Sequence, residues 1–374
     1  MAGIYIHIPF CKQACHYCDF HFSTNLNYQR EMLEAIVKEL ELQQDYIRED
    51  IHTVYLGGGT PSLLTLDQIQ LILDNINQHY NLSIDNEISL EANPDDLDEA
   101  YLTGLKEIGI NRLSIGIQSF HDPHLTYMNR AHNSELAKGA VPLARKVGFA
   151  NISIDLIYAL PANDHSIWKD DLHTAISLAP DHISSYCLTI EPKTVFGNWR
   201  NQGKLWVMSD DFAAEQYEIL IDALSLAGYN QYEISNFCLK GNESRHNSNY
   251  WRQQPYLGVG PGAHSFNGST RQFNLANNVK YIEAISQEEI PAEIEILSEK
   301  DRINEWLLTG LRTAWGCDLD HLKMNYNYDI WSKQGTTLKT MKDQGLIQAT
   351  AHLIKLTQRG KLLADQICAD LFIN

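Results

Sequence analysis

The strongest constraint on what this chain can fold into is a regular alternation of strand-like and helix-like segments over its first two-thirds. Ile4–Ile8 reads as a strand, and Met32, Leu33, Ile36, Val37 and Leu40 then recur at helical spacing. Thr53–Leu56 is a short apolar strand that runs into Gly57, Gly58 and Gly59. Thr65-Leu66-Asp67-Gln68 fits a capping box, and Ile69, Ile72, Leu73, Ile76 and Tyr80 continue that helix. Further strands are expected at Glu87–Glu91, Arg112–Ile117, Ile152–Tyr158 and His182–Ile190, each followed by a helical pattern, with a last short strand at Gln231–Ser235. Regular βα alternation predicts parallel strands joined by right-handed crossovers. Eight such units close a TIM barrel; about six predict an α/β fold with a partial, open (β/α)6 barrel.

The alternation fades after residue 240, which divides the 374 residues into three stretches. Residues 1–240 form the expected barrel. Residues 241–298, rich in Asn, Gly and aromatics, are expected to be an irregular connecting segment facing a ligand. Residues 299–374 return to a helical pattern through Trp306, Leu307, Leu311 and Leu322 and end in a hairpin-like stretch, a small winged-helix shape. Winged helices often bind DNA, but from Lys300 onward there are 10 Lys/Arg against 8 Asp/Glu, so the basic footprint is missing. Over the whole chain, 29 Lys+Arg against 47 Asp+Glu leave a net charge of −18. Such a protein is a poor general binder of nucleic acid or anionic lipid. No apolar run reaches the ~18 residues of a membrane span, and the N-terminus lacks the basic and apolar regions of a signal peptide. The expectation is a cytoplasmic protein with no membrane anchor and no nucleic-acid partner. The acidic surface is compatible with a homodimer.

Seven cysteines, an odd number, argue against a disulfide framework and for metal or redox chemistry. Three crowd together after the first strand: Cys11, Cys15 and Cys18. Three thiolates are one short of a closed zinc site and one short of the usual cage of a [4Fe–4S] cluster. A three-thiolate cubane leaves one iron free for an outside ligand. Zinc with a distant fourth ligand such as His16 or His21 is the structural alternative.

Cys11-x-x-x-Cys15-x-Tyr17-Cys18 after a first barrel strand resembles the radical S-adenosylmethionine (SAM) superfamily. The resemblance implies a [4Fe–4S] cluster on Cys11, Cys15 and Cys18, with SAM chelating the open iron and open to reductive cleavage of its sulfonium. Gly57-Gly58-Gly59-Thr60-Pro61 resembles the glycine motif that binds the SAM amino group, so Gly58, Gly59 and Thr60 are candidates. Glu91, Gln118 and Asp155 sit at strand ends, where α/β barrels place chemistry. With Tyr5 and Arg130 they match SAM-contacting positions of the oxygen-independent coproporphyrinogen-oxidase-like branch. Gln118, Arg130 and Asp155 imply a second SAM site.

That branch contains oxidases and haem chaperones. The oxidases carry a further Cys two positions after the last cluster Cys, where this chain has Phe20, and a longer arm before the first strand. His246-Asn247-Ser248-Asn249-Tyr250-Trp251 fits the H-N-x-x-Y-W signature of the chaperone group. Taken on its chemistry alone, His246 also fits a structural role between two domains; the signature makes it the expected haem ligand, since histidine is a standard axial ligand to haem iron. Tyr250, Trp251 and Tyr256 are expected to pack against the porphyrin. Gly258–His264 is expected to turn along the same cavity; His264, Cys187 and Cys238 are the next candidate ligands. The resemblance therefore implies first a haem-binding chaperone that passes haem to a respiratory haem protein. The alternative is a radical SAM oxidase or decarboxylase acting on coproporphyrinogen III.

Overall fold

The computed structural model describes residues 2–373. Six parallel strands lie side by side in chain order: β1 (Ala2–Ile8), β2 (Ile51–Gly58), β3 (Leu82–Ala92), β4 (Arg112–Gln118), β5 (Asn151–Tyr158) and β6 (His182–Cys187). Helices Gln29–Leu42, Leu66–His79, Glu99–Glu107, Ser134–Val147 and Ser166–Ser177 make the crossovers. The expected capping box is formed: the Thr65 side chain accepts from the Gln68 N–H and the Gln68 side chain answers at Thr65. β1 is buried on both faces, with Ile4, Ile6 and Ile8 almost fully covered, as a central parallel strand requires. The barrel is partial. Beyond β6 the chain reverses through β7 (Asn230–Glu233) and β8 (Asn236–Cys238), where β8 pairs antiparallel with β6 and ends the parallel run.

The stretch 241–298 is not irregular. Helix Arg245–Trp251 is followed by β9 (Tyr256–Val259), which pairs parallel with the outer edge of β1. β10 (His264–Phe266), β11 (Thr270–Asn274) and β12 (Ala292–Ile296) then extend the same sheet antiparallel, making twelve strands in all. These strands are three to five residues long and interrupted by glycines, too short for a two-residue period to show in sequence. Gly258 makes the fold-back feasible: a Cβ there would lie 2.0 Å from the His264 carbonyl oxygen. Glu39, fully buried on helix Gln29–Leu42, anchors the extension. It accepts from the Gly260 N–H at 2.8 Å, the Asn274 amide at 2.6 Å, the Gln43 amide at 2.7 Å and the Tyr281 hydroxyl.

The C-terminal part has its own core around Leu307, Leu322, Leu338 and Ile354. Helices Glu299–Leu311, Leu319–Tyr326 and Ile330–Asp343 precede a hairpin of β14 (Ile347–Ala349) and β15 (Leu353–Leu356), and β13 (Cys317–Asp318) pairs with β15, a winged-helix arrangement. It is fastened to the barrel through Arg312. This side chain pairs with buried Glu233 at 2.9 Å and lies over the Trp251 ring at 5.3 Å. Among the described residues no helix is long and apolar enough to cross a membrane.

Candidate functional site

The cysteine loop leaves the end of β1 and is pinned at its neck by the Cys11 N–H to Ser23 carbonyl bond (3.1 Å) and the Ser23 N–H to Pro9 carbonyl bond (2.8 Å). All three thiols are partly accessible. The Thr60 hydroxyl donates to Cys11 Sγ at 3.4 Å and the Arg130 guanidinium to Cys15 Sγ at 3.3 Å. Burial raises the Cys11 thiol and pushes Cys18 up to about 12, so metal binding there releases protons. The histidines offered as a fourth zinc ligand each have one ring nitrogen engaged. His16 Nδ1 bonds the Tyr127 carbonyl at 2.9 Å, and His21 Nε2 lies 2.7 Å from Asn278 Oδ1. Among the described residues no group of three or more His, Cys, Asp or Glu side chains converges on a single-ion site. A cubane asks less of the loop, because each thiolate binds a different iron.

A cavity of about 460 Å³ opens beside the thiols. Gly58, Gly59, Thr60, Glu91, Gln118, Arg130 and Asp155 all line it together with Cys11, Cys15 and Cys18. Gly58, Glu91, Gln118 and Asp155 converge because parallel strands deliver their C-terminal ends to one rim; Arg130 arrives from the loop after helix Asp122–Tyr127. Gly58 has φ +107°, and a Cβ there would come 2.5 Å from His7 Nδ1. Its N–H donates to Glu91 at 3.0 Å, and the Tyr55 hydroxyl donates to the other carboxylate oxygen at 2.8 Å. Burial pushes Glu91 up to about 7 and Asp155 up to about 6. Gln118 is held at φ +68°, an uncommon conformation for a residue with a side chain. Arg130 donates to Asn93 Oδ1 at 2.5 Å and to the Gly116 carbonyl at 2.8 Å, while its buried Nε–H has no partner among the described residues. The lining thus offers carboxylates to a cationic group and an orphaned guanidinium N–H to an anionic one. SAM carries both signs, and the residues present fit it.

Tyr5, expected to contact SAM, and His246, expected to bind haem, do not line this cavity. Tyr5 lies three residues down β1 from Ile8, which is opposite Gly58, and so roughly 10 Å below the rim. Its ring stacks with Tyr55 at 6.1 Å, its hydroxyl pairs with His7 Nδ1 at 3.0 Å, and it lines a different cavity. His246 is 1% exposed. Its Nδ1 pairs with Thr53 Oγ1 at 2.8 Å and its Nε2 with the Tyr250 hydroxyl at 2.7 Å, while its ring stacks on Tyr55 at 5.1 Å. Burial lowers its pKa to about 3. In this structure both ring nitrogens are occupied, so His246 is not presented as an iron ligand. It braces Tyr250 from behind.

The second cavity, about 490 Å³, lies between the cysteine loop, the β9–β10 turn and the C-terminal part. Tyr250, Trp251 and Tyr256 line it, as do Gly262, Ala263 and His264 from the glycine-rich turn. Asp19 and Phe20 line both cavities, and Phe20 is 73% exposed. The tail of the cysteine loop is therefore the partition between them. Cys187 belongs to the first cavity and Cys238 is wholly buried. Asn93, which also lines the first cavity, was not among the expected site residues. Its position two residues after Glu91 puts it on the same face of the strand end, a signal that was available. His7 and Arg271, also on the second cavity's wall, carried no local signal, and the sequence offered His21 only as a zinc ligand.

The fold and the first cavity define a protein class, and the comparisons agree. Residues 5–172 match the model of the Radical SAM superfamily, and residues 297–363 match that of the HemN C-terminal domain. The solved structure of coproporphyrinogen III oxidase (HemN) from Escherichia coli shares the fold at a TM-score of 0.86 and 22% identity, over 99% of this chain and 90% of that one. Among curated relatives, "Heme chaperone HemW" of Bacillus subtilis is 36% identical, covering 98% of both chains. That of Lactococcus lactis is 34% identical over 97% of this chain and 95% of its own. This chain belongs to the HemW family of the radical SAM superfamily.

Proposed function

We propose that the protein is a cytoplasmic haem chaperone, which binds haem and hands it to a respiratory haem protein. The observation that carries this reading is the pair of cavities divided by one loop. The first has the thiols and charged groups suited to a cluster and SAM; the second has aromatic and imidazole walls suited to a flat apolar macrocycle. Cys11, Cys15 and Cys18 would hold the [4Fe–4S] cluster. Gly58, Gly59, Thr60, Glu91, Gln118, Arg130 and Asp155 would hold SAM. When bound, cluster and SAM supply one-electron chemistry. The chain's own residues orient and shield them: Glu91 fixes the Gly58 N–H, and Arg130 ties the Cys15 side of the loop to the ends of β3 and β4. Haem is cargo of the second cavity.

The alternative, an oxidase acting on coproporphyrinogen III, draws on the shared fold, but Phe20 stands where that reading needs a cysteine. The test has two arms. Anaerobically reconstituted protein should bind about four iron per chain, and Cys15→Ser should lose them. Incubated with SAM, a reductant and coproporphyrinogen III, it should give no protoporphyrinogen IX, while titration with haemin should give a protein-bound Soret band. Multiple-turnover oxidation with no haemin binding would refute the chaperone and restore the oxidase.

A further inference from the structure

We propose that His264, on the wall of the second cavity, supplies the imidazole that takes the haem iron, with His246 acting behind that wall as a positioning residue. This rests on the reading that the second cavity holds haem.

Iron needs a ring nitrogen whose lone pair is free and faces the cavity. Three histidines line that cavity. His7 is 5% exposed and spends Nδ1 on the Tyr5 hydroxyl and Nε2 on the His21 carbonyl. His21 spends Nε2 on Asn278 Oδ1 at 2.7 Å, keeps Nδ1 and is only partly exposed, which makes it the second candidate. His264 is exposed, and its ring has no hydrogen-bond partner among the described residues. An edge-to-face contact with Phe273, 4.7 Å between centroids, sets the plane of its ring. Burial, then the nearby Arg271 charge, holds it below its ordinary pKa, so the imidazole is neutral at neutral pH. The turn that carries it is tied down on its near side: the Gly260 N–H donates to buried Glu39 at 2.8 Å and the Gly258 N–H to the Ser265 hydroxyl at 2.9 Å.

The wall beside it suits the rest of the ligand. Tyr250 and Phe266 offer ring faces. Trp251, also on the wall, has a buried indole N–H with no partner among the described residues, a donor for a propionate. Arg271, held by Glu305 at 2.8 Å, adds a cation. His246 does not line the cavity; it holds the Tyr250 hydroxyl from behind and thereby the angle of that ring.

The test is haemin titration of the anaerobically reconstituted full chain, followed by absorbance. His264→Ala should move the Soret band toward that of free haemin and weaken binding at least about tenfold, the low end of what even outer-shell changes cost a metal site. Added imidazole should restore the wild-type band. His264→Cys should give a thiolate-type spectrum, which a merely structural role would not produce. His246→Ala should weaken binding yet keep the wild-type band position. His264 makes no side-chain hydrogen bond among the described residues, so the His264 variants should retain their iron–sulfur absorption, which reports the fold; the same absorption is the check that His246→Ala, which loses two buried bonds, is folded. An unchanged band and affinity in His264→Ala overturns the assignment, as does loss of the band in His21→Ala or His246→Ala alone. Wild-type protein that binds no haemin overturns the chaperone reading, and this assignment with it.

Discussion

Glu39 gives the sharpest quantitative prediction. One buried carboxylate joins helix Gln29–Leu42 to the β9–β11 extension, with two donors on each oxygen. In Glu39→Leu the Asn274 amide keeps a second acceptor, the Gly260 carbonyl at 3.0 Å. The Gly260 N–H, the buried Gln43 amide and the fully buried Tyr281 hydroxyl are left with none. Each stranded buried donor costs about 1–3 kcal/mol, so the loss is about 3–9 kcal/mol. Part is offset, because the carboxyl is itself penalised by burial, which pushes it up to about 7. The expected net is about 3–6 kcal/mol, with roughly half of that for Glu39→Gln, which keeps one acceptor oxygen. Urea unfolding measures it, and amide exchange at Gly260 localises it. Exposed Glu41 on the same helix, paired only with Lys38 at 3.2 Å, is the control; Glu41→Gln should stay within about 0.5 kcal/mol of wild type. The Gly260 turn carries His264, so haemin affinity should fall as well. Glu39→Leu within about 0.5 kcal/mol of wild type, with unchanged exchange at Gly260, would refute the anchor.

Three other outcomes are expected. Gly58→Ala must hold φ +107° with a Cβ driven toward His7 Nδ1, costing at least about 1–2 kcal/mol, and should lose SAM affinity by calorimetry; unaltered SAM binding and thermal midpoint would contradict the cradle. Arg312→Ala leaves one oxygen of the buried Glu233 carboxylate without its guanidinium, while Ser235 and Asn236 keep the other, and uncovers Trp251; discounted for the partial exposure of Arg312, the cost is about 2 kcal/mol, read as faster limited proteolysis between barrel and C-terminal part. His246 is held neutral in the fold down to about pH 3, whereas an unfolded histidine takes up its proton near 6.5. The unfolded state then binds more protons between those values, so this contribution is complete above pH 6.5 and is lost as pH falls toward 3. His246→Gln should flatten the thermal midpoint across that window, and a parallel pH profile would count against it.

Much of the molecule was legible in one dimension. The βα alternation predicted the parallel sheet, because a repeating period of apolar residues is a local property that each segment carries by itself. The thiol triad and the polar residues at strand ends were legible for a related reason: parallel strands bring their C-terminal ends to one rim, so Gly58, Glu91, Gln118 and Asp155 meet without any knowledge of side-chain packing. Arg130, away from any strand end, was found only through the resemblance.

What the sequence could not decide is which way two side chains face and what covers them. Tyr5 belongs to the wall of the second cavity because Tyr55 and His7 hold its ring below the rim. His246 is sealed by partners distant in the chain, above all Thr53 at a separation of 193 residues. The strands of 241–298 gain their stability from an edge of β1 and from Glu39, more than 200 residues earlier, and not from any pattern of their own. A motif fixes the order of residues along a few turns of chain. Burial, and with it whether an imidazole is a ligand or a brace, depends on the rest of the molecule folding around it.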